Sequence, residues 1–310
     1  MWSPLPRWLT IDLMLRFTMK RRLARAPNPA AVRENFERES EKLPLPADAR
    51  FEQASVPAGG GAPMPALWAW RGEAAEERVL LYLHGGAYFA GSPNTHRAVA
   101  ALMAGAIGGR ALVPDYRLAP EHPFPAALDD ALAAYRYLLE QGVEPGRIAV
   151  AGDSAGGGLV FALLLKLEAE GLPPPAAVAA FSPWSDLTED APSLRRNAWR
   201  DPMLPAHRFR EVTEFYLQGH DPKDPLASPA FGRFRNPPPA LILACRDEIL
   251  ADDATAMAET LTAAGGEVAL DWARRLPHAW PVFAGLLPEA DESLARAGAF
   301  LAERMRRDGE

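Results

Sequence analysis

Six short apolar runs recur along the chain, and longer stretches of helical composition follow most of them. Apolar runs of this length, without a polar residue at every second position, are typical of strands buried on both faces of a sheet. Their alternation with helices predicts an α/β fold, in which a mostly parallel sheet carries helices on both faces. Ligands of such sheets bind beyond the carboxyl ends of the strands, so the polar residues that follow each run are candidates for function. The runs lie at 78–84, 110–116, 147–153, 176–183, 239–245 and 267–273, and the predicted helices at about 94–108, 125–141, 155–170 and 252–264.

Two regions interrupt this alternation. Residues 1–50 have the composition of charged helix, and residues 184–236 are rich in Pro, Trp, Asp and Arg, with one helix near 205–217. Neither has the pattern of an independent domain, so we predict one domain over residues 1–310 in which both regions form a cap over the carboxyl edge of the sheet. The first helix is partly amphipathic. We expect it to pack on the body of the protein, with a membrane-surface helix as the alternative.

Composition argues against several classes of function. The 310 residues carry a formal net charge of -7, which argues against nucleic acid as the partner, because phosphate binding needs basic patches. Cys245 is the single cysteine, so no disulfide can form within the chain, and we expect a cytoplasmic protein. No apolar run is long enough to cross a membrane, and a signal peptide is not expected. The sequence shows no phosphate-binding loop, dinucleotide fingerprint or zinc spacing, so we expect no metal and no cofactor.

The sequence GDSAG at 152–156 lies where a strand run meets a helical stretch. A serine between glycines at such a junction is typical of a nucleophile elbow, a turn so sharp that side chains two residues away would collide. The turn exposes the serine hydroxyl at the edge of the sheet, beside the free N–H groups of the following helix. We therefore predict Ser154 as a nucleophile. A helix N-cap serine is the plainer alternative.

A serine hydroxyl needs a base within hydrogen-bond reach to become a good nucleophile. His278 follows the last apolar run, and Asp247 follows the run at 239–245, so both are expected at the same edge of the sheet as Ser154. The order serine, acid, histidine matches that of α/β-hydrolases. We predict Asp247 as the acid that orients His278, with Glu248 as the alternative.

A second glycine pair, in HGGAY at 84–88, follows the first apolar run. Attack on a carbonyl creates an oxyanion, and backbone N–H groups stabilise it well where no side chain intervenes. We predict an oxyanion hole formed by the amides of Gly85, Gly86 and Ala155. His84 precedes these donors and is expected to hold the loop rather than to act as a base.

These motifs together resemble the hormone-sensitive-lipase-like carboxylesterases of bacteria, a group of α/β-hydrolases. The resemblance implies an eight-stranded, mostly parallel sheet with a helical cap, hydrolysis of esters with short to medium acyl chains, no cofactor and, in many relatives, a homodimer. Ala87 departs from the pattern, because many relatives have a third glycine there. The resemblance rests on HGGAY (84–88), DYRLAPEHPFPAALDDA (115–131), GDSAGG (152–157), SPWSDLT (182–188), DEILADDA (247–254) and PHAW (277–280).

The substrate itself is less constrained by the sequence. We predict that Ala87, Tyr88, Asp153 and Trp184 bind substrate. Further aromatic residues of the cap would either line an acyl pocket or pack within the cap itself. A lactone hydrolase, an amidase or deacetylase with the same triad, and a binding protein without catalysis remain alternatives. The further aromatic residues are Trp199, Phe209, Phe215 and Tyr216, and we interpret Tyr116, Arg117 and Glu121 as a buried polar brace.

Overall fold

The computed structural model describes residues 7–26, 28–58 and 61–305. Eight strands form one sheet in the order β1-β2-β4-β3-β5-β6-β7-β8. The strands β3 to β8 pair in parallel, and β1 and β2 add an antiparallel edge next to β4. The predicted α/β class is therefore confirmed. The strands are β1 Ala49–Val56, β2 Met64–Arg71, β3 Val79–Leu83, β4 Arg110–Pro114, β5 Ile148–Asp153, β6 Ala177–Phe181, β7 Ala240–Cys245 and β8 Val268–Ala273.

The six predicted runs correspond to β3 through β8, whereas β1 and β2 were not predicted, although the sequence of β2, MPALWAWR, is largely apolar. The central strands β3, β5, β6 and β7 are buried at every residue, which explains their continuous apolar sequence. In β1, by contrast, half-buried positions alternate with exposed ones, and the sequence ARFEQASV is mostly polar or small. A strand at the edge of a sheet needs no continuous apolar run, so the search for such runs did not identify β1.

Helices cover both faces of the sheet. The helices α4 and α10 pack on one face, and α5, α6 and α9 pack on the other. The described residues of 7–48 and 184–236, which are called the cap below, contain α1, α2, α3, α7 and α8. The helices are α1 Arg7–Leu15, α2 Arg21–Arg25, α3 Pro29–Ser40, α4 Pro93–Ile107, α5 Ala126–Glu140, α6 Ala155–Ala169, α7 Pro192–Arg196, α8 Phe209–Leu217, α9 Ala251–Ala263 and α10 Pro288–Arg304, and a π-helical turn at Arg16–Lys20 joins α1 to α2.

The helix α6 is the most deeply placed of these elements. Its sequence AGGGLVFALLLKLEA has apolar residues all round, and only a few positions near its carboxyl end reach solvent. A helix that is apolar on every side is stable only when other elements surround it, here the sheet, α5 and the loop after β6. This burial fixes the amino-terminal end of α6, which carries Ser154, against the edge of the sheet. No helix within the described ranges is both long and apolar enough to cross a membrane.

Candidate active site

Ser154 occupies a strained turn between β5 and α6. Its backbone lies at φ 54° and ψ -120°, a conformation that L-residues rarely adopt. A Cβ atom on Gly152 would come within 2.5 Å of the Gly156 carbonyl oxygen, and one on Gly156 would collide with the carbonyl oxygens of Leu83 and His84. The glycines are therefore required sterically. The Ser154 side chain makes no capping hydrogen bond to α6, so the geometry is that of an elbow rather than of an N-cap.

His278 pairs with Glu248 and not with Asp247. The Nδ1 atom of His278 lies 2.6 Å from Oε2 of Glu248, and both side chains are buried. Oε1 of Glu248 accepts hydrogen bonds from the backbone N–H of Cys245 at 2.7 Å and from the hydroxyl of Ser182 at 2.9 Å. Glu248 is therefore the carboxylate held against the imidazole.

The prediction of Asp247 as this acid is wrong. Its Oδ2 atom accepts the N–H of Arg275 at 2.9 Å, and its side chain lines a cleft on the outer surface with several arginines. The reason is the turn after β7, in which the N–H of Glu248 donates to the carbonyl of Cys245. That turn directs one of two adjacent acids inward and the other outward. When two acids are adjacent in the sequence, no local pattern shows which of them faces the histidine.

Further polar groups hold the His278–Glu248 pair in place. The hydroxyl of Ser182, which donates to Glu248, also accepts the N–H of Ala279 at 3.0 Å and so joins the two loops. Asp201 in the cap is fully buried, and its Oδ2 accepts the N–H of Ile249 at 3.1 Å. Burial raises the pKa of Asp201, while nearby His278 opposes that rise. Sequence reasoning missed both residues: Ser182 begins the SPWSDLT motif but was given no role, and Asp201 lies in no recognised motif.

The second ring nitrogen of His278 is left available. Its Nε2 atom is buried and has no hydrogen-bond partner among the described residues. Ser154 and His278 line the same cavity. Burial lowers the pKa of His278, but the hydrogen bond and the charge of Glu248 outweigh burial and raise that pKa above 6.5. With Glu248 fixed on Nδ1, the neutral ring presents an unprotonated Nε2 to the cavity.

The predicted oxyanion hole needs one correction. The N–H of Gly85 donates to Oδ1 of Asp153 at 3.1 Å, so it is not free to bind substrate. The N–H groups of Gly86 and Ala87 have no acceptor among the described residues, and both residues line the cavity. Ala155 is the first residue of α6, and its N–H has no partner within the helix. The available donors are therefore those of Gly86, Ala87 and Ala155.

A buried polar network supports this loop from below. Oδ1 of Asp153 accepts the hydroxyl of Tyr82 at 2.9 Å in addition to Gly85, and it lies 3.4 Å from Nε2 of His96. The ring of His84 stacks on Tyr116 at 4.1 Å, and burial lowers the pKa of His84 to about 3. His84 is thus a neutral structural residue, as the sequence predicted, and Asp153 holds the loop.

The brace predicted from DYRLAPEHPFPAALDDA is found only in part. The hydroxyl of Tyr116 donates to the carbonyl of His84 at 2.6 Å, and Arg117 pairs with the buried Asp130 through two nitrogens. Glu121 instead lies on the surface, where it pairs with Arg33 of α3. The brace therefore fixes the loop below the active site, while Glu121 connects the cap to the body.

The cavity wall differs in part from the sequence prediction. Ala87, Asp153 and Trp184 line it, as predicted. Tyr88 does not, because its buried ring stacks on Tyr216 at 3.8 Å below the wall. Among the remaining aromatic candidates of the cap, Phe209 and Phe215 line the cavity, Tyr216 is packed inside and Trp199 is exposed to solvent. The rest of the wall is mainly aliphatic and comes largely from the cap, with Leu23, Pro29, Val32, Phe36, Met203, Leu204 and Val212.

Comparison with known proteins places these features in a family. The family described as alpha/beta hydrolase fold matches residues 80–282. An acetyl-hydrolase of Streptomyces hygroscopicus is 45% identical over 224 residues, which cover 72% of this chain and 75% of that protein. An esterase of Acinetobacter venetianus is 34% identical over 231 residues, covering 74% of this chain and 76% of that protein.

Solved structures agree with this assignment. The crystal structure of an esterase from the bacterial hormone-sensitive lipase family superposes with a TM-score of 0.90 at 39% identity, and the match covers 98% of this chain and 100% of the other. The crystal structure of EstE5 superposes with a TM-score of 0.91 at 37% identity, covering 97% of this chain and 99% of the other. The chain therefore belongs to the α/β-hydrolase fold family, within its bacterial hormone-sensitive-lipase group.

Proposed function

We propose that this protein is a serine carboxylester hydrolase in which Ser154, His278 and Glu248 form the catalytic triad. One observation carries the assignment: an imidazole held by a buried carboxylate on Nδ1 presents a free Nε2 to the cavity that contains the elbow serine. The similarity to bacterial esterases and to an acetyl-hydrolase supports the same chemistry.

Acylation begins when the hydroxyl oxygen of Ser154 attacks the ester carbonyl carbon and Nε2 of His278 takes the hydroxyl proton. Glu248 stabilises the imidazolium that forms and keeps the ring in the required tautomer. The tetrahedral intermediate then collapses, and the C–O bond to the alcohol breaks. The alcohol leaves with the proton from Nε2, and the acyl group stays on Ser154.

Deacylation repeats these steps with water as the nucleophile. Water gives a proton to Nε2 as its oxygen attacks the acyl carbonyl. Collapse of the second intermediate releases the carboxylic acid, and Ser154 regains its proton from His278. In both intermediates the oxyanion accepts hydrogen bonds from the backbone N–H groups of Gly86, Ala87 and Ala155. Each such donor typically contributes about 3–4 kcal/mol of transition-state stabilisation.

The cavity favours uncharged esters of short to medium acyl length. Its wall is mostly apolar and is closed by cap residues such as Leu23, Phe36 and Met203, which favour an apolar acyl chain. The guanidinium of Arg208 also lines this end, but it donates to the backbone carbonyls of Ala24 and Ala26. Trp184 and Phe209, whose rings contact edge to face at 5.3 Å, form a rigid part of that wall. The partner is accordingly a small ester, and we expect no role for nucleic acid.

We propose a cytoplasmic location and a homodimer as the working assembly. The thiol of Cys245 is buried, and burial raises its pKa to about 12, so it remains a structural thiol. Light scattering of the purified chain would test the assembly, and a monomer at all concentrations would overturn it.

Replacing Ser154 with alanine tests the function directly. We expect the S154A variant to lose essentially all turnover of p-nitrophenyl butyrate and all labelling by a fluorophosphonate. The matched control is Ser55→Ala, because Ser55 is exposed on β1 and lies in no predicted site. Substantial esterase activity in folded S154A protein would refute the assignment. A panel of matched esters, lactones and amides would separate ester hydrolysis from the other reactions open to this triad.

A further inference from the structure

A cluster of exposed apolar side chains lies on the cap. The described surface exposes seven large apolar residues, and four of them belong to this cluster: Leu13, Met14, Phe17 and Trp199. Phe17 is 60% exposed and Trp199 is 90% exposed. Single apolar residues are common on protein surfaces, but a contiguous group with two aromatic rings normally marks a contact site.

The loop that carries Trp199 is fastened to the edge of the first helix. Nη1 of Arg16 donates to the carbonyl of Trp199 at 2.6 Å, and Nζ of Lys20 donates to the carbonyl of Ala198 at 2.7 Å. Leu13 lies at the end of α1, and Arg16, Phe17 and Lys20 belong to the π-helical turn that follows it. These contacts fasten the loop that carries Trp199 to the helical segment that carries Leu13 and Phe17, and the Trp199 side chain is exposed to solvent there.

The exposed row changes from apolar to basic along the helix. After Leu13, Met14 and Phe17 come Arg21, Arg22 and Arg25, all exposed, and the guanidinium of Arg21 lies over the Phe17 ring at 5.2 Å. Two acids of this region are paired with basic side chains. Asp12 is half-buried against Arg16, and Glu39 pairs with Arg22. A protein with a formal net charge of -7 thus carries a group of exposed arginines next to these exposed apolar side chains.

We propose that this face, made of Leu13, Met14, Phe17, Trp199, Arg21 and Arg25, docks on an anionic lipid surface. The aromatic and aliphatic side chains would enter the interfacial region, and the arginines would lie against lipid phosphates. A second copy of the chain fits less well. The four apolar side chains cover far less than the roughly 800 Å² per partner that a stable dimer buries.

Docking would bring the cap to the lipid surface. The helix α2 carries Arg21 and Arg25 outward and Leu23 inward, where Leu23 lines the cavity. If the proposed esterase function is correct, the cavity wall then lies near amphiphilic esters in the lipid layer. The docking itself does not depend on that function.

Co-sedimentation with vesicles tests the proposal, using the full chain with Ser154→Ala so that hydrolysis cannot interfere. We expect binding to vesicles of phosphatidylcholine with phosphatidylglycerol, weaker binding to phosphatidylcholine alone, and loss of binding at high salt. The variant R21Q/R25Q should weaken binding to the anionic vesicles about thirtyfold, since each arginine contributes about fivefold near such a surface. F17S/W199S should weaken binding by at least tenfold.

The matched controls are Phe231→Ser with Leu286→Ser for the apolar residues, and Arg233→Gln with Arg235→Gln for the charges, because these side chains are exposed elsewhere on the protein. They should bind as the parent does. All variants should hydrolyse a soluble ester normally when Ser154 is present, which shows that they fold. Absence of binding to anionic vesicles, or equal binding by F17S/W199S, would overturn the proposal. A shift from dimer to monomer in F17S/W199S without vesicle binding would also overturn it, in favour of a protein interface.

Discussion

The carboxyl edge of the sheet and the cap differ in the contacts that hold their own segments in place. At the sheet edge, the catalytic residues lie on buried loops, which are positioned by the strands and by helix α6. The side chain of Glu248 alone has three hydrogen-bond partners. In the cap, cationic side chains such as Arg16 and Arg208 hold segments together by donating to backbone carbonyls. The loops at the sheet edge hold the catalytic groups, and Asp201 of the cap supports one of these loops. The contacts of Arg208, by contrast, join one cap segment to another beside the cavity.

This difference assigns the two regions different effects on the reaction. A group at the sheet edge acts on the transition state, so its loss lowers kcat. A contact in the cap shapes the wall of the cavity, so its loss changes KM first. Four predictions test that division, and they run from the largest effect to the smallest.

The largest effect is expected from Glu248→Gln. Removing the negative charge leaves the imidazolium without a partner and permits the wrong tautomer, so kcat/KM for p-nitrophenyl butyrate should fall about 10³–10⁴-fold. The matched variant Asp247→Asn should stay within about twofold of the parent, because Asp247 contacts Arg275 on the outer surface. A larger loss in Asp247→Asn than in Glu248→Gln would reverse the assignment of the acid.

A smaller loss is expected from Asp153→Ala, which frees the N–H of Gly85 and the hydroxyl of Tyr82. The loop that presents Gly86 and Ala87 would then lose its support, and kcat should fall about 100-fold with little change in KM. The control Tyr82→Phe removes one partner of Asp153 and keeps Gly85 in place, so steady-state kinetics should show only a few-fold loss. Equal losses in both variants would mean that Asp153 does not act through the Gly85 contact.

In the cap, Arg208→Met should raise KM about tenfold and leave kcat within about threefold. The guanidinium of Arg208 donates to the carbonyls of Ala24 and Ala26 and also lines the cavity, so its loss loosens the segment next to Leu23. Arg210→Met in the adjoining helix α8 is the control, because Arg210 is exposed. If steady-state kinetics show a fall in kcat instead, Arg208 acts in the catalytic step. The assignment of kcat effects to the sheet edge and of KM effects to the cap would then be wrong.

The smallest effect concerns pH. Ser154 can pass its proton only to neutral His278, so kcat/KM should rise with pH through the pKa of His278, which Glu248 holds above 6.5. In Glu248→Gln the largest contributions that raise this pKa are gone, while burial and the smaller contributions of Asp201 and Asp153 remain, so the acidic limb of the residual activity should move to lower pH. Asp247→Asn should leave the limb in place. If the acidic limb of the pH profile moves to higher pH in Glu248→Gln, the pairing of Glu248 with His278 is contradicted.

Much of the architecture could be read from the chain. Continuous apolar runs located β3 to β8, and the glycines around Ser154 indicated the elbow, because both features depend on a few neighbouring residues. The sequence did not predict the edge strand β1, since half of its positions face solvent and it lacks an apolar run. Local patterns thus report burial well and edge strands poorly.

The active site shows what local sequence patterns can and cannot predict. The sequence by itself determined that a serine, a histidine and an acid would meet at one edge of a parallel sheet, because each follows a strand that ends there. Only the tertiary structure decided that Glu248 rather than Asp247 contacts His278, and that Gly85 donates to Asp153 instead of to substrate. The physical reason is that these choices depend on how loops distant in the chain pack against each other, and the direction of one turn after β7 reverses which of two adjacent carboxylates is buried.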